Sequence, residues 1–205
     1  MVQDPNYRRK YFRFAIGMMF FLGLAMGVYY LIQRGYYPAA TVGSRIISAR
    51  MLDEAAQSVV RYYEQAVKTY GSTDPALKEL ADKEISVREA RRATLDKLIE
   101  NELIARAAES AVGNELARLV ETKVSAAKLN DPQFQQAVVA LYGLNTERFR
   151  EFVLEPQARE EILQSVKFSA SVEEFKKWLT TARKSAKVIV LVPDLNWDGE
   201  KVTFR

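Results

Sequence analysis

Two pairs of neighbouring glutamates, Glu100 with Glu102 and Glu160 with Glu161, are the arrangement in this sequence that comes closest to catalytic groups. Two carboxyl groups that face each other can act as a general acid and a general base. Residues one or two positions apart on a helix do not face each other, so we interpret both pairs as solvated surface. His and Cys are absent from the 205 residues, which excludes a Ser–His triad, a thiol nucleophile and the usual zinc ligands. We therefore predict no catalytic residue, no metal site and no cofactor, although hydrolysis by Lys or by paired carboxylates stays formally open.

The net charge of +4 is concentrated at the N-terminus. Arg8, Arg9, Lys10 and Arg13 outweigh Asp4 there, whereas basic and acidic residues are equal in number from position 35 onward. A basic surface is the electrostatic signature of nucleic-acid binding. Because the bulk charge beyond the N-terminus gives no support for such a surface, we predict no nucleic-acid partner.

An uncharged apolar stretch, Phe14 to Ile32, lies between Arg13 and Arg34. At about 1.5 Å per residue, a helix of this length spans roughly 28 Å, which is close to the thickness of the bilayer hydrocarbon. Because basic residues precede the stretch, the positive-inside rule places the N-terminus in the cytoplasm. We expect a cytoplasmic basic tail at 1–13, a transmembrane anchor in the lipid bilayer of the plasma membrane at 14–33, a tether at 34–40, and a periplasmic or extracellular domain at 41–205.

The competing interpretation of this stretch is a cleaved signal peptide. Such a peptide has an apolar region of about 7–15 residues and then small residues before the cleavage site. Here the run is longer, and the best site, after Ala40, places Pro38 at the −3 position, so we favour an uncleaved anchor. Gly23 and Gly27 form a GxxxG step, which predicts a homodimer in the membrane, although Gly is also simply common in membrane helices.

The remaining sequence predicts a mostly α-helical domain. Apolar residues recur at steps of three or four along a helix from Ser48 to about Tyr70, as one buried stripe requires. Ser-x-x-Glu capping boxes at Ser86 and Ser171 begin two more helices, and Asp131 caps another. Further helices are predicted over 115–129, after Asn145 and from Pro156.

Strand-forming residues lie at both ends of this domain. The β-branched segments are 41–47 (TVGSRII) and 187–192 (KVIVLV), and such composition favours strands. Asp198-Gly199 predicts a hairpin turn between Leu195–Trp197 and Lys201–Phe204. Because an isolated strand leaves its backbone groups unpaired, we predict that 41–47 pairs with 187–192 in a small sheet that closes the domain.

Two segments carry a family resemblance, residues 93–105 (ATLDKLIENELIA) and 141–152 (LYGLNTERFREF). Their order and spacing resemble the N-terminal chaperone domain of the SurA, PpiD and PrsA group of envelope foldases, from about Thr41 to Phe168. The resemblance implies a mostly α fold, in which an N-terminal transmembrane helix precedes a SurA-N-like multi-helix domain. The small β-sheet of that domain is formed by the first strand and the C-terminal strands, and residues 172–205 return to complete it. The single N-terminal anchor is similar to the PpiD arrangement.

Many members of this group carry a parvulin-type prolyl isomerase domain before the returning helix. Only Lys167 to Ser171 occupy that position in this sequence, and the His residues used in parvulin sites are absent. The resemblance therefore implies the chaperone part without isomerase activity, so we expect no enzyme.

The function implied by the resemblance is the reversible holding of unfolded or nascent exported polypeptides, close to the secretion channel. Apolar surfaces of broad or flexible side chains suit many partners. The predicted client-binding residues share this character: Met51, Tyr62, Tyr63, Tyr70, Phe134, Tyr142, Phe149 and Phe152. Each also fits an ordinary core position, and Tyr62 is the best candidate, because a helix cannot bury it and its neighbour Tyr63 on one narrow face. The alternative function is a structural or adaptor subunit that docks one defined partner in a cell-envelope complex.

Overall fold

The computed structural model describes residues 5–33, 35–70 and 86–205; side chains are described throughout these ranges except at 5–17, 20 and 70. The chain divides into two compact units, Met1–Tyr37 and Pro38–Arg205.

The first unit contains helix α1 (Pro5–Gln33). Among the described residues, no helix combines the length and the apolar character that a membrane crossing requires. The transmembrane helix predicted at 14–33 is therefore wrong on this finding, and so is the fold class that placed it before the domain. A span needs about 20 consecutive apolar residues, and the described part of the chain contains no helix that meets this requirement.

Gly23 and Gly27 lie on an open part of α1. A Cβ built at either residue meets no heavy atom within 4 Å. Homodimerisation through these two glycines stays a prediction, because the structure is that of one chain.

The second unit begins with a β-hairpin rather than with the single predicted strand 41–47. Strands β1 (Pro38–Val42) and β2 (Arg45–Ser48) pair antiparallel on either side of Gly43. Gly43 has a φ of 60°, and a Cβ there would lie 2.6 Å from Nη2 of Arg106, which donates a hydrogen bond to the Val42 carbonyl at 2.8 Å. β-Branched composition indicates extended backbone, whereas the turn is set by a glycine that accepts a positive φ and a close side chain.

Residues 38–40, which the sequence analysis assigned to a tether, belong to β1. Ala39 and Ala40 are both completely buried, with 0% of their surface exposed. The sheet and the core therefore begin at the start of this unit.

The two ends of the second unit meet in a three-stranded sheet, which confirms the predicted pairing. Strand β3 (Val188–Val190) runs antiparallel to β1 and places Ile189 opposite Thr41, in the strand order β2-β1-β3. The predicted hairpin at Asp198-Gly199 is also present, between β4 (Leu195–Trp197) and β5 (Val202–Phe204). These last strands form a separate two-stranded sheet, so the prediction that all C-terminal strands join the first strand was wrong for β4 and β5.

Helices occupy the chain between the sheets, and their predicted caps are confirmed. Ser86 Oγ accepts a hydrogen bond from the Glu89 N–H at 3.4 Å, and Asp131 Oδ1 accepts one from Gln133 at 2.8 Å. The helices are α2 (Ala49–Tyr70), α3 (Val87–Val112), α4 (Leu116–Ser125), α5 (Pro132–Tyr142), α6 (Thr146–Phe149), α7 (Glu155–Phe168) and α8 (Val172–Ser185).

A π-helical segment, Arg150–Leu154, joins α6 to α7 without a break. The N–H of Glu155 donates to the carbonyl of Arg150, five residues earlier. Pro156 follows and has no N–H to offer to the carbonyl of Phe152. The sequence predicts a new helix at Pro156, but the backbone stays helical there, because proline is tolerated in the first turn that follows the wide π turn.

Three clusters of buried side chains stabilise the second unit. The first lies between the sheets, α2 and α3, and includes Leu52, Ile99 and Leu195. The second joins α3, α4, α7 and α8, and a third, smaller cluster is formed by Val138, Leu144 and Phe149. Of the aromatic residues predicted to bind clients, Phe149 belongs to the third cluster, and Phe134, Tyr142 and Phe152 pack against it.

The C-terminal hairpin is held against α3 by Asp96 and Arg183. Asp96 Oδ1 accepts hydrogen bonds from the Val202 N–H at 2.8 Å and from Arg183 Nη2 at 2.5 Å. Arg183 also pairs with Glu100 at 2.8 Å and donates to the Glu200 carbonyl at 2.6 Å. One guanidinium thus connects α8, α3 and the β4–β5 turn.

Candidate functional site

Tyr62 and Tyr142 form a stacked pair that connects α2 to α5. Their ring centroids are 5.1 Å apart with an interplanar angle of 14°, and Tyr63 meets Tyr62 edge-on at 5.8 Å. Tyr62 keeps 39% of its surface exposed, whereas Tyr63 and Tyr142 are half-buried. The reasoning that two adjacent tyrosines cannot both be buried on one helix face agrees with this placement.

Phe149 packs against Tyr142, one of the two stacked tyrosines. It is buried, its ring centroid lies 5.0 Å from that of Tyr142, and it meets the half-buried Phe134 edge-on at 5.8 Å. Phe149 therefore belongs to the third core cluster together with Val138 and Leu144.

A cleft of about 330 Å³ opens beside Tyr62, between α2, α3 and the π-helical segment. We call it the aromatic cleft. Its lining is mainly apolar and comprises Ala55, Ser58, Val59, Tyr62, Tyr63, Ala93, Thr94, Lys97, Leu98, Asn101, Tyr142, Phe152 and Val153. The structure thus brings four of the predicted residues to one cleft: Tyr62, Tyr63, Tyr142 and Phe152.

The other predicted client-binding residues are placed elsewhere. Met51 packs against the first core cluster and lines a neighbouring cleft, Phe134 and Phe149 lie in the third cluster, and the side chain of Tyr70 lies outside the described residues.

Thr94 is a residue of the cleft that the sequence analysis did not single out. It is buried, and its Oγ1 has no hydrogen-bond partner in the described structure. A buried hydroxyl without a partner is energetically unfavourable. The only sequence signal was a hydroxyl at a core-spaced position inside the 93–105 segment, and helical spacing does not reveal whether such a hydroxyl is satisfied.

A basic pocket of about 360 Å³ adjoins the aromatic cleft at Ser58 and Tyr142, which line both. We define the basic pocket by Arg50, Arg61 and Arg148, with Glu54 between them. Glu54 pairs with Arg50 at 2.6 Å and with Arg148 at 3.2 Å. Glu54 therefore pairs with two of the three guanidinium groups, and Arg148 pairs with Glu151 as well.

The aliphatic part of the Arg61 side chain packs against the end of α5, and the residue is exposed to solvent. Its Nε donates to the Ala140 carbonyl at 3.4 Å, and a Cβ added to Gly143 would lie 2.8 Å from its Cδ. Gly143 ends α5 with a φ of 69°, where a side chain would be strained. Arg61 forms no ion pair with a described residue.

An acidic cleft of about 270 Å³ adjoins the aromatic cleft on another side, where Leu98, Asn101 and Phe152 line both. Its acidic residues outnumber its basic ones; they are Glu102, Glu109, Glu151 and Glu155, set against Arg45 and Arg159. The aromatic cleft thus has neighbours of opposite charge.

Two pKa shifts describe the electrostatics around the tyrosine pair. Burial raises the pKa of Tyr142 above its usual 10.0, and the neighbouring Tyr62 raises it further. The hydrogen bond to Glu151 raises the pKa of Arg148. At neutral pH the phenol is therefore an uncharged hydrogen-bonding group, and the guanidinium is fully charged.

The paired glutamates are engaged in ion pairs. Glu100 contacts Lys97 at 2.5 Å, and Glu161 contacts Lys123 at 2.8 Å. Within the described ranges, no group of three or more acidic side chains is arranged to hold a metal ion. These contacts give the glutamates structural roles.

A helical domain that is closed by its own two ends, with an apolar cleft on one side, is typical of a binding module. The chain belongs to the SurA-like N-terminal domain family, whose model matches residues 6–162. The match confirms the resemblance inferred from 93–105 and 141–152, and it indicates a chaperone-like or adaptor role. It does not address the PpiD and PrsA details. No curated protein and no solved structure matches the chain.

The family match ends within α7, yet the chain beyond it completes the same unit. Helix α8 follows α7 after residues 169–171, in which Ser169 and Ala170 turn the backbone with φ values of 47° and 63°. The described chain therefore passes directly from α7 to the returning helix, as the resemblance implies.

Proposed function

We propose that this protein is a chaperone that binds unfolded exported polypeptides reversibly at the aromatic cleft. The observation that carries the proposal is the stacked Tyr62–Tyr142 pair at an apolar cleft of about 330 Å³, in a chain of the SurA-like N-terminal domain family. The extracytoplasmic location belongs to the proposal and rests on the resemblance to envelope foldases. So does the absence of prolyl isomerase activity, for which a peptide isomerisation assay should give only the background rate.

The size of the cleft suits side chains better than folded surfaces. Pockets for small ligands measure roughly 300–1,000 Å³, and this cleft lies near the lower limit, so it accommodates one or two large side chains. Aromatic rings and the flexible stem of Lys97 contact apolar groups without requiring a particular sequence. A shallow contact of this kind gives weak, reversible binding, which a holding function needs.

Suppression of aggregation tests the proposal. The full chain, in several-fold excess, is added to a chemically unfolded exported protein during dilution, and light scattering is followed. We expect the unmodified chain to reduce scattering and Tyr62→Ala to lose most of that effect.

Phe204→Ala is the matched control for Tyr62→Ala. Phe204 has a similar exposure, 37% against 39% for Tyr62, but it lies on β5 and does not line the aromatic cleft. Equal loss of activity in both variants, or no suppression by the unmodified chain, would contradict the proposal.

An adaptor that docks one defined partner is the second candidate, and one surface favours it. Ile46, Thr41 and Ile189 lie side by side across the three-stranded sheet, and the two isoleucines are 67% and 61% exposed. Apolar rows on a sheet face are common at protein interfaces. Photocrosslinkers at positions 62 and 189 separate the two functions, because diverse products from 62 support a chaperone and a single discrete product from 189 supports an adaptor.

A further inference from the structure

The charge around the aromatic cleft is distributed unevenly. Ser58 and Tyr142 connect it to the basic pocket, which is lined by three arginines and one glutamate, Glu54. Phe152 connects it to the acidic cleft, where glutamates predominate. A client segment in the aromatic cleft therefore has a cationic surface next to one side and an anionic surface next to another.

Arg61 is the group in the basic pocket best placed to bind a ligand. Glu54 already contacts Arg50 and Arg148, whereas Arg61 has no carboxylate partner in the described structure. Its stem packs against Gly143 at the end of α5, which restricts the guanidinium and lowers the entropy lost on binding. A guanidinium that is already positioned suits the planar carboxylate fork.

We propose that the aromatic cleft prefers unfolded segments in which an acidic side chain stands next to the aromatic or large apolar residue that enters the cleft. The apolar residue contacts Tyr62, and the neighbouring Asp or Glu carboxylate binds Arg61. This inference rests on the proposed function and specifies its substrate class. Because other clefts adjoin the aromatic cleft on both the basic and the acidic side, a bound segment has room to extend in both directions, so the carboxylate in this proposal is that of a side chain within the segment.

The acidic cleft reinforces this preference. A carboxylate on the side of Phe152 would enter a cleft lined by four glutamates and two arginines. Arg45 pairs with Glu102 and Arg148 with Glu151, so the remaining excess of negative charge disfavours the carboxylate there. The preference therefore depends on whether the acidic residue of the segment lies toward Tyr142 and the basic pocket or toward Phe152. High salt should weaken the preference, because the basic pocket is open to solvent.

Matched peptides test the inference with the full chain. The peptides are labelled, blocked at both ends and identical except at one position, which is Asp, Asn or Lys beside a central Phe; binding is followed by fluorescence anisotropy. We expect the Asp peptide to bind about three-fold more tightly than the Asn peptide, a size typical of an exposed ion pair. The Lys peptide should bind most weakly, and high salt should reduce the differences.

Variants of Arg61 identify the group responsible. Arg61→Gln keeps most of the stem and should equalise the Asp and Asn peptides, and Arg61→Glu should reverse the order in favour of Lys. Arg118→Gln is the control, because Arg118 is an exposed arginine on α4 that pairs with Glu115 and does not line the three clefts. Circular dichroism checks that each variant is folded.

The possible failures are distinguishable. Equal binding of Asp and Asn peptides that Tyr62→Ala still weakens overturns the charge preference and leaves the proposed function intact. No binding of any peptide overturns both. A preference that appears only with an unblocked C-terminal carboxylate also overturns the inference, because the ligand is then a chain end.

Discussion

The domain contains two groups of aromatic rings with similar spacing and different surroundings. In the closed group, Phe168, Phe175 and Trp178 lie with centroids 5.6–5.7 Å apart. They belong to the second core cluster, in which both phenylalanines are buried and side chains from α3, α4 and α7 surround them. Lys167 covers the outer side, with its Nζ 5.4 Å from the Trp178 ring.

The open group consists of Tyr62, Tyr142, Phe149 and Phe134, with successive centroids 5.0–5.8 Å apart. Phe149 shares its buried cluster with only two other buried residues of the described chain, Val138 and Leu144. Tyr62, the first ring of this group, stays partly exposed beside the aromatic cleft. The basic pocket and the acidic cleft adjoin that cleft on two sides. Ring contacts alone therefore do not define a core or a binding surface, because burial also requires apolar side chains from other elements to cover the rings, as in the second cluster.

Phe175→Ala should produce the largest effect, because it removes a ring from the closed group. Phe175 is 4% exposed, and replacing a buried Phe with Ala costs about 3–5 kcal/mol. Urea unfolding at 25 °C should show this loss in the free energy of unfolding, with holding activity retained while the variant is folded.

Tyr62→Ala is the contrasting variant. Because Tyr62 is already partly exposed, we expect the free energy of unfolding of the variant to fall by only about 1 kcal/mol, while most of its holding activity is lost. A large loss of stability in Tyr62→Ala, similar to that of Phe175→Ala, would show that the open group is also structural core.

Arg183→Met should have the next largest effect, again on stability and not on the cleft. The substitution leaves Asp96 and Glu100 without their shared partner, and the Arg183 side chain is only 13% exposed. We expect a loss of about 2 kcal/mol, which is smaller than for a fully buried ion pair. Hydrogen exchange should rise first in the β4–β5 hairpin, and unchanged exchange there would contradict the role of Arg183 in holding the hairpin to α3.

Lys123→Gln should have the smallest effect, and it should depend on pH. The hydrogen bond from Lys123 lowers the pKa of Glu161 below its usual 4.5. A carboxyl whose pKa is lower in the folded state adds stability above its ordinary pKa, and that stability disappears as the pH falls through the folded-state pKa. Because Glu161 is 48% exposed, we expect the variant to lose at most about 0.5 kcal/mol at neutral pH.

Urea unfolding of Lys123→Gln and of the unmodified chain at a series of pH values tests this prediction. The free energies of unfolding of the variant and the unmodified chain should converge as the pH falls through the lowered pKa of Glu161. A difference that stays constant with pH would indicate a change in helix packing rather than loss of the ion pair. This surface contact between α4 and α7 should contribute far less to stability than the closed aromatic group.

Much of the local structure was predictable from sequence. Caps at Ser86, Asp131 and Ser171 each bind an N–H two or three residues away, so a short window of sequence contains both partners. The pairing of the two ends, Thr41 with Ile189, was predictable because each strand would otherwise lack a partner.

Other features that depend on residues far apart in the sequence could not be predicted. The turn at Gly43 depends on Arg106, and the cleft residue Thr94 became notable only when its surroundings were known. Arg61 gave no signal at all in the sequence, because its lack of an ionic partner depends on α5 and on Gly143. The membrane-spanning helix predicted at 14–33 failed against the finding for the described residues.

Sequence patterns were enough to predict the helix caps, the Asp198-Gly199 hairpin and the family, since these depend on hydrogen bonds and residue types within short stretches of chain. Contacts between distant segments were needed to establish that β4 and β5 form their own sheet and that Tyr62 faces a cleft while Phe175 lies in a core. The physical reason is that burial depends on which distant segments cover a side chain, and helical periodicity assigns a residue to a face without saying what lies against it.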